Sequence, residues 1–597
     1  MINKKNIVLV LFSVFALTAC EDYLDIENTG SQLATEDEVW QSRSAINSIP
    51  LRFYDTMEWM AEIRLDSRGG LKRQEQETGK NYGNIEVFSG DCIFLRPRAV
   101  HDLIYKGDYV QAQNQIFANP DINWVWYNSW ECVFLANQIL DRIDGVTTDI
   151  MPQREIDQIK GEAYLFRAFA YHELHKRWGT MPYFKFRIFP GSDLNLPRPT
   201  NKELIADIVA DLDQAIAILP EVSYLNDAEN MGRMGKAAAM ALKSRALTIA
   251  ASPNSTLNNQ KDTELWEQAA AAAWDVIQLS QTSDKVGLYE GDYNEIFSTL
   301  PGTIEGLWPR FDAKKTPNIY QLTWQWQNVY SGATGLSPSQ EVIDRFETAD
   351  GWPINHPNSN YEEQNPYINR DPRFYKDVLY HGAPWIKRAE GDLIDMRTDP
   401  TTGEDRSKPP TFGNSTTGYL ARKHIPERFN RIQYPNRTEY TNAPYIRMAE
   451  MYLNYAEAVN EAYGNPSATA PGASLTAVEA LNTIRNRVGH VNVRPEFTAD
   501  ADAFRDVVRN EFRVELCFEY HSWFDILRWR TAKEEIHQNN KHGVFIIEDA
   551  SQPTGVRYER FEFEQNRIFQ DRHYRYPIRQ PDLEIFEIPQ LTQNPGW

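Results

Sequence analysis

The sequence predicts a mainly α-helical protein in which paired helices form a scaffold and long irregular segments carry the ligand site. Apolar residues recur three and four residues apart over much of the chain, which is the period of a helix buried on one face. Several such helices follow each other across short polar turns. Between them, segments 64–121, 287–336 and 391–419 are rich in glycine with aromatic or polar residues and lack that period. Irregular segments of this length are usually functional.

The first residues have the organisation of an export signal. Lys4 and Lys5 precede an apolar run over 7–17, and Leu-Thr-Ala leads directly into Cys20. The run is shorter than the roughly 20 residues of a membrane-spanning helix and fits a secretory signal. A cysteine after Leu-Thr-Ala resembles the lipobox of bacterial lipoproteins. We therefore expect a signal peptide over 1–19, a lipidated Cys20 that begins an acidic tether over 20–30, and a single domain over 31–597. An ordinary signal peptide with an incidental cysteine is the alternative.

Helical periodicity dominates the rest of the chain. Ile159, Ala163, Phe166 and Ala170, for example, form one apolar stripe on a helix. Similar patterns predict helices over residues 36–54, 124–143, 155–178, 202–219, 235–250, 263–279, 446–456, 474–487 and 501–530.

Two pairs of these helices are joined by short connections, 124–143 with 155–178 and 235–250 with 263–279. The second pair has alanine-rich faces that allow the helix axes to approach closely. Stacked helical hairpins of this kind resemble tetratricopeptide units, which bury a face only by packing on their neighbours. We therefore predict a tetratricopeptide-like scaffold, although the repeat is too degenerate for a fixed period.

Composition excludes several classes of function. The formal net charge is −21 with no basic stripe, so we expect no binding to nucleic acid. Apart from Cys20, the cysteines are Cys92, Cys132 and Cys517, an odd number without the spacing of a metal site. Cys132 and Cys517 lie in apolar helical contexts and are expected to be buried thiols. Outside the cytoplasm we expect no nucleotide cofactor.

Two motifs suggest chemistry that their details do not support. His172 and His175 are three residues apart, whereas the zincin arrangement needs four, so partly exposed helix histidines are expected there. Glu511, Glu515 and Glu519 recur every four residues on one helix face, whereas glycosidase carboxylates must flank a bond across a cleft. We expect these three to form a charged packing network, and we predict no catalytic residues and no metal site.

Four separated segments carry a family resemblance. They are GEAYLFRAFAY with RWG and MPY over 161–183, DG with NRDPRF over 350–374, RMAEMYLNYAEA with LNTIRNR over 447–487, and ELCFE with WFDILRW over 515–529, followed by YPI and a terminal QNPGW. Together they resemble the SusD/RagB family, the surface glycan-binding lipoproteins of Bacteroidetes-type bacteria. The chain departs from the family in having Phe512, Tyr520 and Ser522 where Arg, Gly and Arg are common, and Arg579 where a second Pro follows Ile578.

The resemblance implies a fold, a location and a partner. The fold is a single domain with tetratricopeptide-like helices and irregular loops that carry the ligand site. The location is the outer membrane, with a lipid anchor at Cys20 and the body facing the cell exterior. The partner is a SusC-like TonB-dependent transporter, over which the lipoprotein sits as a lid. The function is non-enzymatic capture of oligosaccharides during polysaccharide utilisation and nutrient uptake.

Sugars stack on aromatic faces while polar groups bind their hydroxyls. The segments that match the family's ligand loops offer the candidate residues Tyr82, Phe88, Trp324, Trp326 and Tyr330. Packing in the core or in a loop is the alternative for each ring. Two other functions remain open: the same fold with a peptide cargo, or a surface glycoside hydrolase. No spaced set of oxygen ligands indicates a calcium site.

Overall fold

The computed structural model describes residues 35–60, 85–94, 103–114, 125–221, 232–256, 260–299, 302–309, 336–385, 393–398, 415–424, 442, 444–537, 540–563, 567–585 and 591–597. Most of these residues are helical. None of the helices in these ranges is both long and apolar enough to span a membrane.

The helices are numbered here in chain order. They are α1 (Glu36–Trp40), α2 (Arg43–Ser48), α3 (Leu51–Met60), α4 (Glu86–Ser89), α5 (Tyr109–Asn114), α6 (Val125–Arg142), α7 (Gln153–Trp178), α8 (Asn201–Ile218), α9 (Lys236–Ala251), α10 (Thr263–Thr282), α11 (Gln340–Arg345), α12 (Pro372–Asp377), α13 (Met448–Tyr463), α14 (Ala477–Arg487), α15 (Ala501–Glu515), α16 (Ser522–Arg528) and α17 (Gln580–Ile585).

The strands form two-stranded antiparallel ribbons. They are β1 (Cys92–Phe94), β2 (Gly306–Trp308), β3 (Leu336–Pro338), β4 (Val378–Leu379), β5 (Leu420–Ala421), β6 (Ile446–Arg447), β7 (Lys541–Glu548) and β8 (Val556–Phe563). The pairs are β1 with β3, β2 with β6, β4 with β5, and β7 with β8. Except for β7 and β8, each ribbon joins residues that are far apart in the sequence.

The long helices pack in a continuous series. Helix α6 packs on α7, α7 on α8, α8 on α9, α9 on α10, and α10 on α13, which also contacts α14 and α15. The two predicted helix pairs are therefore confirmed, as is the mainly α, tetratricopeptide-like scaffold. Alanine faces explain the close packing of α9 on α10, because Ala238, Ala241, Ala269 and Ala273 are all buried. At the α6 end of the series, the short helix α3 also packs against α6.

Two predicted helices are broken in the structure. The region 36–54 forms α1, α2 and the start of α3, because the Ser42 side chain caps α2 and Pro50 precedes α3. The region 501–530 ends as α15 and restarts as α16. Phe518 and Tyr520 lie between them with φ values of 62° and 66°, a left-handed conformation that no helix can continue through. The departure from glycine at Tyr520 therefore falls at a position where the backbone favours glycine.

A buried ionic network joins α15 to the ribbons. Glu511, Glu515 and Glu519 are all buried, and the side chains of the cations that pair with them are at most 7 % exposed. These cations come from other elements and are Arg373, Lys423, Arg447, Arg485 and Arg487. Burial alone would raise the pKa of Glu515, but Arg487, Arg447 and Arg373 outweigh it and hold that pKa well below its usual range. The predicted packing network is confirmed.

Candidate functional site

The ribbon of β1 and β3 fixes where the candidate ligand segments leave the scaffold. Its antiparallel register pairs Cys92 with Pro338 and Phe94 with Leu336. The chain after Phe94 and the chain before Leu336 therefore attach at the same end of the ribbon. Trp324, Trp326 and Tyr330 belong to the segment that enters β3 at Leu336. These three residues, together with Tyr82 and Cys20, lie outside the described residues.

Phe88 is a core residue, so its prediction as a ligand-binding ring is wrong. It lies on α4, where its side chain is only 3 % exposed. Its ring centroid lies 5.7 Å from that of Trp523 on α16, in an edge-to-face arrangement. A ring enclosed in this way has no free face for a sugar. The glycine-rich and aromatic composition of segment 64–121 does not reveal which rings point inward.

Buried charges hold the ribbon base rigidly against the scaffold. Asp91, immediately before β1, forms an ion pair with Arg513 of α15, and Arg513 lies 2.8 Å from a carboxylate oxygen of Glu535. The backbone of Ser339, just after β3, donates to the Asp91 carbonyl at 2.8 Å. Nearby, burial raises the pKa of Glu86 to about 8, and its carboxyl accepts the backbone N–H of Tyr520. The candidate segments therefore start from a fixed base.

The hairpin of β7 and β8 adds an aromatic surface that the sequence analysis missed. Phe545 and Phe561 stack with their ring centroids 4.1 Å apart, and Phe563 lies 4.9 Å from Phe561. All three rings are half-buried. The backbone N–H of Val544 donates to the Thr417 carbonyl, and the N–H of Thr416 donates to the Ser337 hydroxyl of β3. The hairpin thus connects to the β1–β3 ribbon. The alternating Phe-Glu-Phe at 561–563 is the sequence signal that could have located it.

A polar cleft lies between α7, α9, α13 and α16. It encloses about 510 Å³, open solvent included, and Lys176, Arg245, His521 and Arg528 are among its lining residues. Its cations are already paired: Arg245 Nε lies 2.7 Å from a Glu450 oxygen, and Arg528 Nε lies 2.8 Å from Asp525.

Titration in this cleft is shaped mainly by burial. Burial raises the pKa of Asp525 to about 6, even though Arg528 opposes that shift. Burial and the neighbouring Arg245 and Lys176 hold the pKa of His521 well below its usual value, so its ring is neutral. The paired charges connect the helices around this cleft. Its described lining residues do not form the pair of opposed free carboxylates that a glycosidase needs.

The remaining candidate groups for chemistry are enclosed. His172 and His175 are buried, so the expectation of partly exposed histidines is wrong, and burial lowers the pKa of His175 to about 3. Cys132 and Cys517 are buried free thiols, as predicted, and Cys92 is a third. Among the described residues, no group of three His, Cys, Asp or Glu side chains could hold a metal ion.

Comparison with known proteins identifies the family. A model described as the SusD family matches residues 309–597, and one described as starch-binding associating with outer membrane matches residues 74–247. The SusD-like protein P2 of Formosa agariphila is 24 % identical over 491 residues, which cover 80 % of this chain and 81 % of that protein.

Solved structures agree with the sequence comparison. A SusD-like protein from Bacteroides fragilis superposes with a TM-score of 0.69 at 23 % identity, covering 94 % of this chain and 99 % of that one. A laminarin-binding SusD-like protein superposes with a TM-score of 0.58 at 18 % identity, covering 93 % and 100 %. Together the two family models match residues 74–247 and 309–597, well over half of the chain, and the chain belongs to the SusD/RagB family.

Proposed function

We propose that this protein is a non-enzymatic, glycan-binding lipoprotein that captures oligosaccharides at the cell surface and passes them to a TonB-dependent outer-membrane transporter. Membership of the SusD/RagB family carries the proposal, because one matching model is described as starch-binding and associated with the outer membrane. A neighbour of the same fold is named for laminarin binding. The lipid anchor at Cys20 and the outward orientation of the body complete the proposal.

The ligand site is proposed at the segments that attach to the β1–β3 ribbon. Trp324 and Trp326 are two residues apart in the segment that enters β3, and Tyr330 follows them. Tyr82 lies three residues before Ile85, at the entry to α4. A rigid base with aromatic residues in its attached segments suits stacking on sugar rings, since the ring faces contribute most when little ordering is needed.

A glycan array on the soluble chain starting at Glu21 tests the cargo, followed by calorimetry with the best glycan. Trp324→Ala and Trp326→Ala should each weaken binding by about 1–3 kcal/mol and leave the unfolding midpoint nearly unchanged. Phe88→Ala is the matched control, because it removes an aromatic ring from the core of the same ribbon base. Unchanged affinity in both tryptophan variants would contradict the assignment of the site.

The same samples discriminate the alternatives. Binding of peptides with no glycan bound on the array would favour the peptide cargo. Product formation beyond one equivalent during long incubation with a bound oligosaccharide would show an enzyme. We expect no product formation, since Glu511, Glu515 and Glu519, which most resembled a catalytic set, are ion-paired in the core.

A further inference from the structure

The outer side of α6 carries an unusual concentration of exposed large apolar side chains. Tyr127 and Phe134 are seven residues apart, about two helical turns, so they lie on the same side of the helix. We call the surface formed by these two residues and three neighbours from adjoining segments the α6 face. Its members are 40–55 % exposed and are Leu51, Tyr127, Phe134, Phe186 and Phe189.

Side-chain contacts place the neighbours along both sides of α6. On one side, Arg52, next to Leu51, has its Nε 2.7 Å from a carboxylate oxygen of Glu131 in the middle of α6. On the other side, the Asn137 side chain donates to the Phe184 carbonyl at 2.9 Å. The rings of Phe184 and Phe186 lie 5.9 Å apart, edge to face. The apolar groups therefore border one helix surface from both sides.

The position of α6 in the fold makes this surface unexpected. Helix α6 lies at one end of the packed series, and the terminal unit of a stacked helical array normally needs a polar outer side to remain soluble. Aromatic rings bordered by arginines are instead the composition of a protein interface. Arg187 lies 4.6 Å from the Phe189 ring and Arg579 lies 4.9 Å from the Tyr127 ring.

The start of the chain limits how far this surface can lie from the membrane. Glu36 pairs with Arg187 at 2.7 Å, so the first described turn of the chain lies beside Phe186 and Phe189. Between Cys20 and Thr35 even a fully extended chain spans at most about 50 Å. A lipid attached to Cys20 would therefore hold the first described turn, beside Phe186 and Phe189, within about 50 Å of the outer-membrane surface and within reach of a protein embedded in it.

We propose that the α6 face docks on the outer-membrane transporter, an inference that rests on the proposed function. The charges at its border favour a protein over lipid as the occupant. Arg52, Arg187 and Arg579 are each paired with a carboxylate, so they supply no excess of positive charge for an anionic bilayer. The chain as a whole carries a net charge of −21, which a negative membrane surface repels.

The test uses the full-length lipoprotein in its native outer membrane, extracted in mild detergent and purified through a tag on the chain. The double variant Phe134→Asp, Phe186→Asp should retain at least tenfold less transporter than the wild type. The control Ile368→Asp changes an equally exposed apolar residue, 46 % accessible, that is far from α6 in the sequence. It should retain wild-type amounts of transporter, and equal retention by the double variant overturns the proposal.

A second measurement does not depend on the stability of the variant. A photo-cross-linking phenylalanine analogue at position 134, in an otherwise wild-type chain, should join the transporter. Cross-linking to lipid or to a second copy of the chain alone overturns the proposal. Glycan binding by the soluble double variant should remain at the wild-type level, which separates docking from capture. A wild-type chain that retains no transporter overturns the delivery step of the proposed function together with this face.

Discussion

Arg447→Met tests how strongly the buried ionic network holds the ribbons to α15. Arg447 ends β6 and is 1 % exposed. Its Nε lies 2.7 Å from Glu519, its Nη1 lies 2.8 Å from both Glu305 and Glu515, and its Nη2 donates to the Glu515 carbonyl at 2.7 Å. Methionine fills much of the volume but removes the charge and every one of these hydrogen bonds.

The expected loss of stability depends on which cations remain paired with the three carboxylates. Arg487 still pairs with Glu305 and Glu515, and Lys423 still pairs with Glu519 at 2.8 Å. Each carboxylate therefore loses one of at least two cations and stays buried. Removing one member of a buried ion pair typically costs about 3–5 kcal/mol, and we expect Arg447→Met to fall in that range.

Urea unfolding at pH 7, followed by tryptophan fluorescence, measures the difference. Arg52→Met is the matched control, because Arg52 also pairs with a glutamate at 2.7 Å but its side chain is 53 % exposed. An exposed pair of this kind contributes about 0–1 kcal/mol. If Arg447→Met destabilises the protein by no more than Arg52→Met, the network does not hold the ribbons as we argue.

Three further predictions concern single side chains. Burial raises the pKa of Asp377 to about 7, so the folded wild type keeps a proton that the unfolded chain loses near pH 4, and wild-type stability should fall as pH rises from about 4 to about 7. Asp377→Asn removes this dependence. The unfolding free energy from urea titrations should therefore change in favour of the variant by up to about 1.4 kcal/mol per pH unit in that window, and parallel plots of unfolding free energy against pH would contradict the raised pKa of Asp377. Phe88→Ala should cost about 3–5 kcal/mol of unfolding free energy while the folded fraction binds glycan normally in calorimetry; a selective loss of affinity would return Phe88 to the ligand site. Cys20→Ala should release a folded, binding-competent protein in cell fractionation, whereas membrane retention in a strain without the transporter would argue against the lipid anchor.

Helical periodicity was sufficient to predict the scaffold because a helix buries residues at fixed local spacings. The pairs 124–143 with 155–178 and 235–250 with 263–279 correspond closely to α6 with α7 and α9 with α10. The break after α15 could not be read from periodicity, since Phe518 and Tyr520 carry large side chains in a left-handed backbone. The only sequence signal was the family's usual glycine at the position of Tyr520.

Long-range pairing was the part that local spacing could not predict. The acidic half of the ionic network was found because Glu511, Glu515 and Glu519 recur every four residues in the sequence. Their basic partners come from β6, α12 and α14 and from the loop after β5, so proximity in sequence could not identify them. The pairing of β1 with β3 could not be predicted for the same reason, because nothing near Cys92 in the sequence indicates pairing with Pro338.

The ribbons also bear on how such a chain can change its cargo during evolution. The segment over 310–335 starts just after β2, which is fixed to β6, and ends at β3, which is fixed to β1. The entropic free-energy cost of closing a loop between fixed ends rises by only about 0.6 kcal/mol for each doubling of the loop length. Insertions, deletions and substitutions there leave the ribbon ends where they are. If this segment carries the ligand site, as we propose, a lineage can acquire a new ligand preference through changes between two fixed ends while the helices continue to fold unchanged.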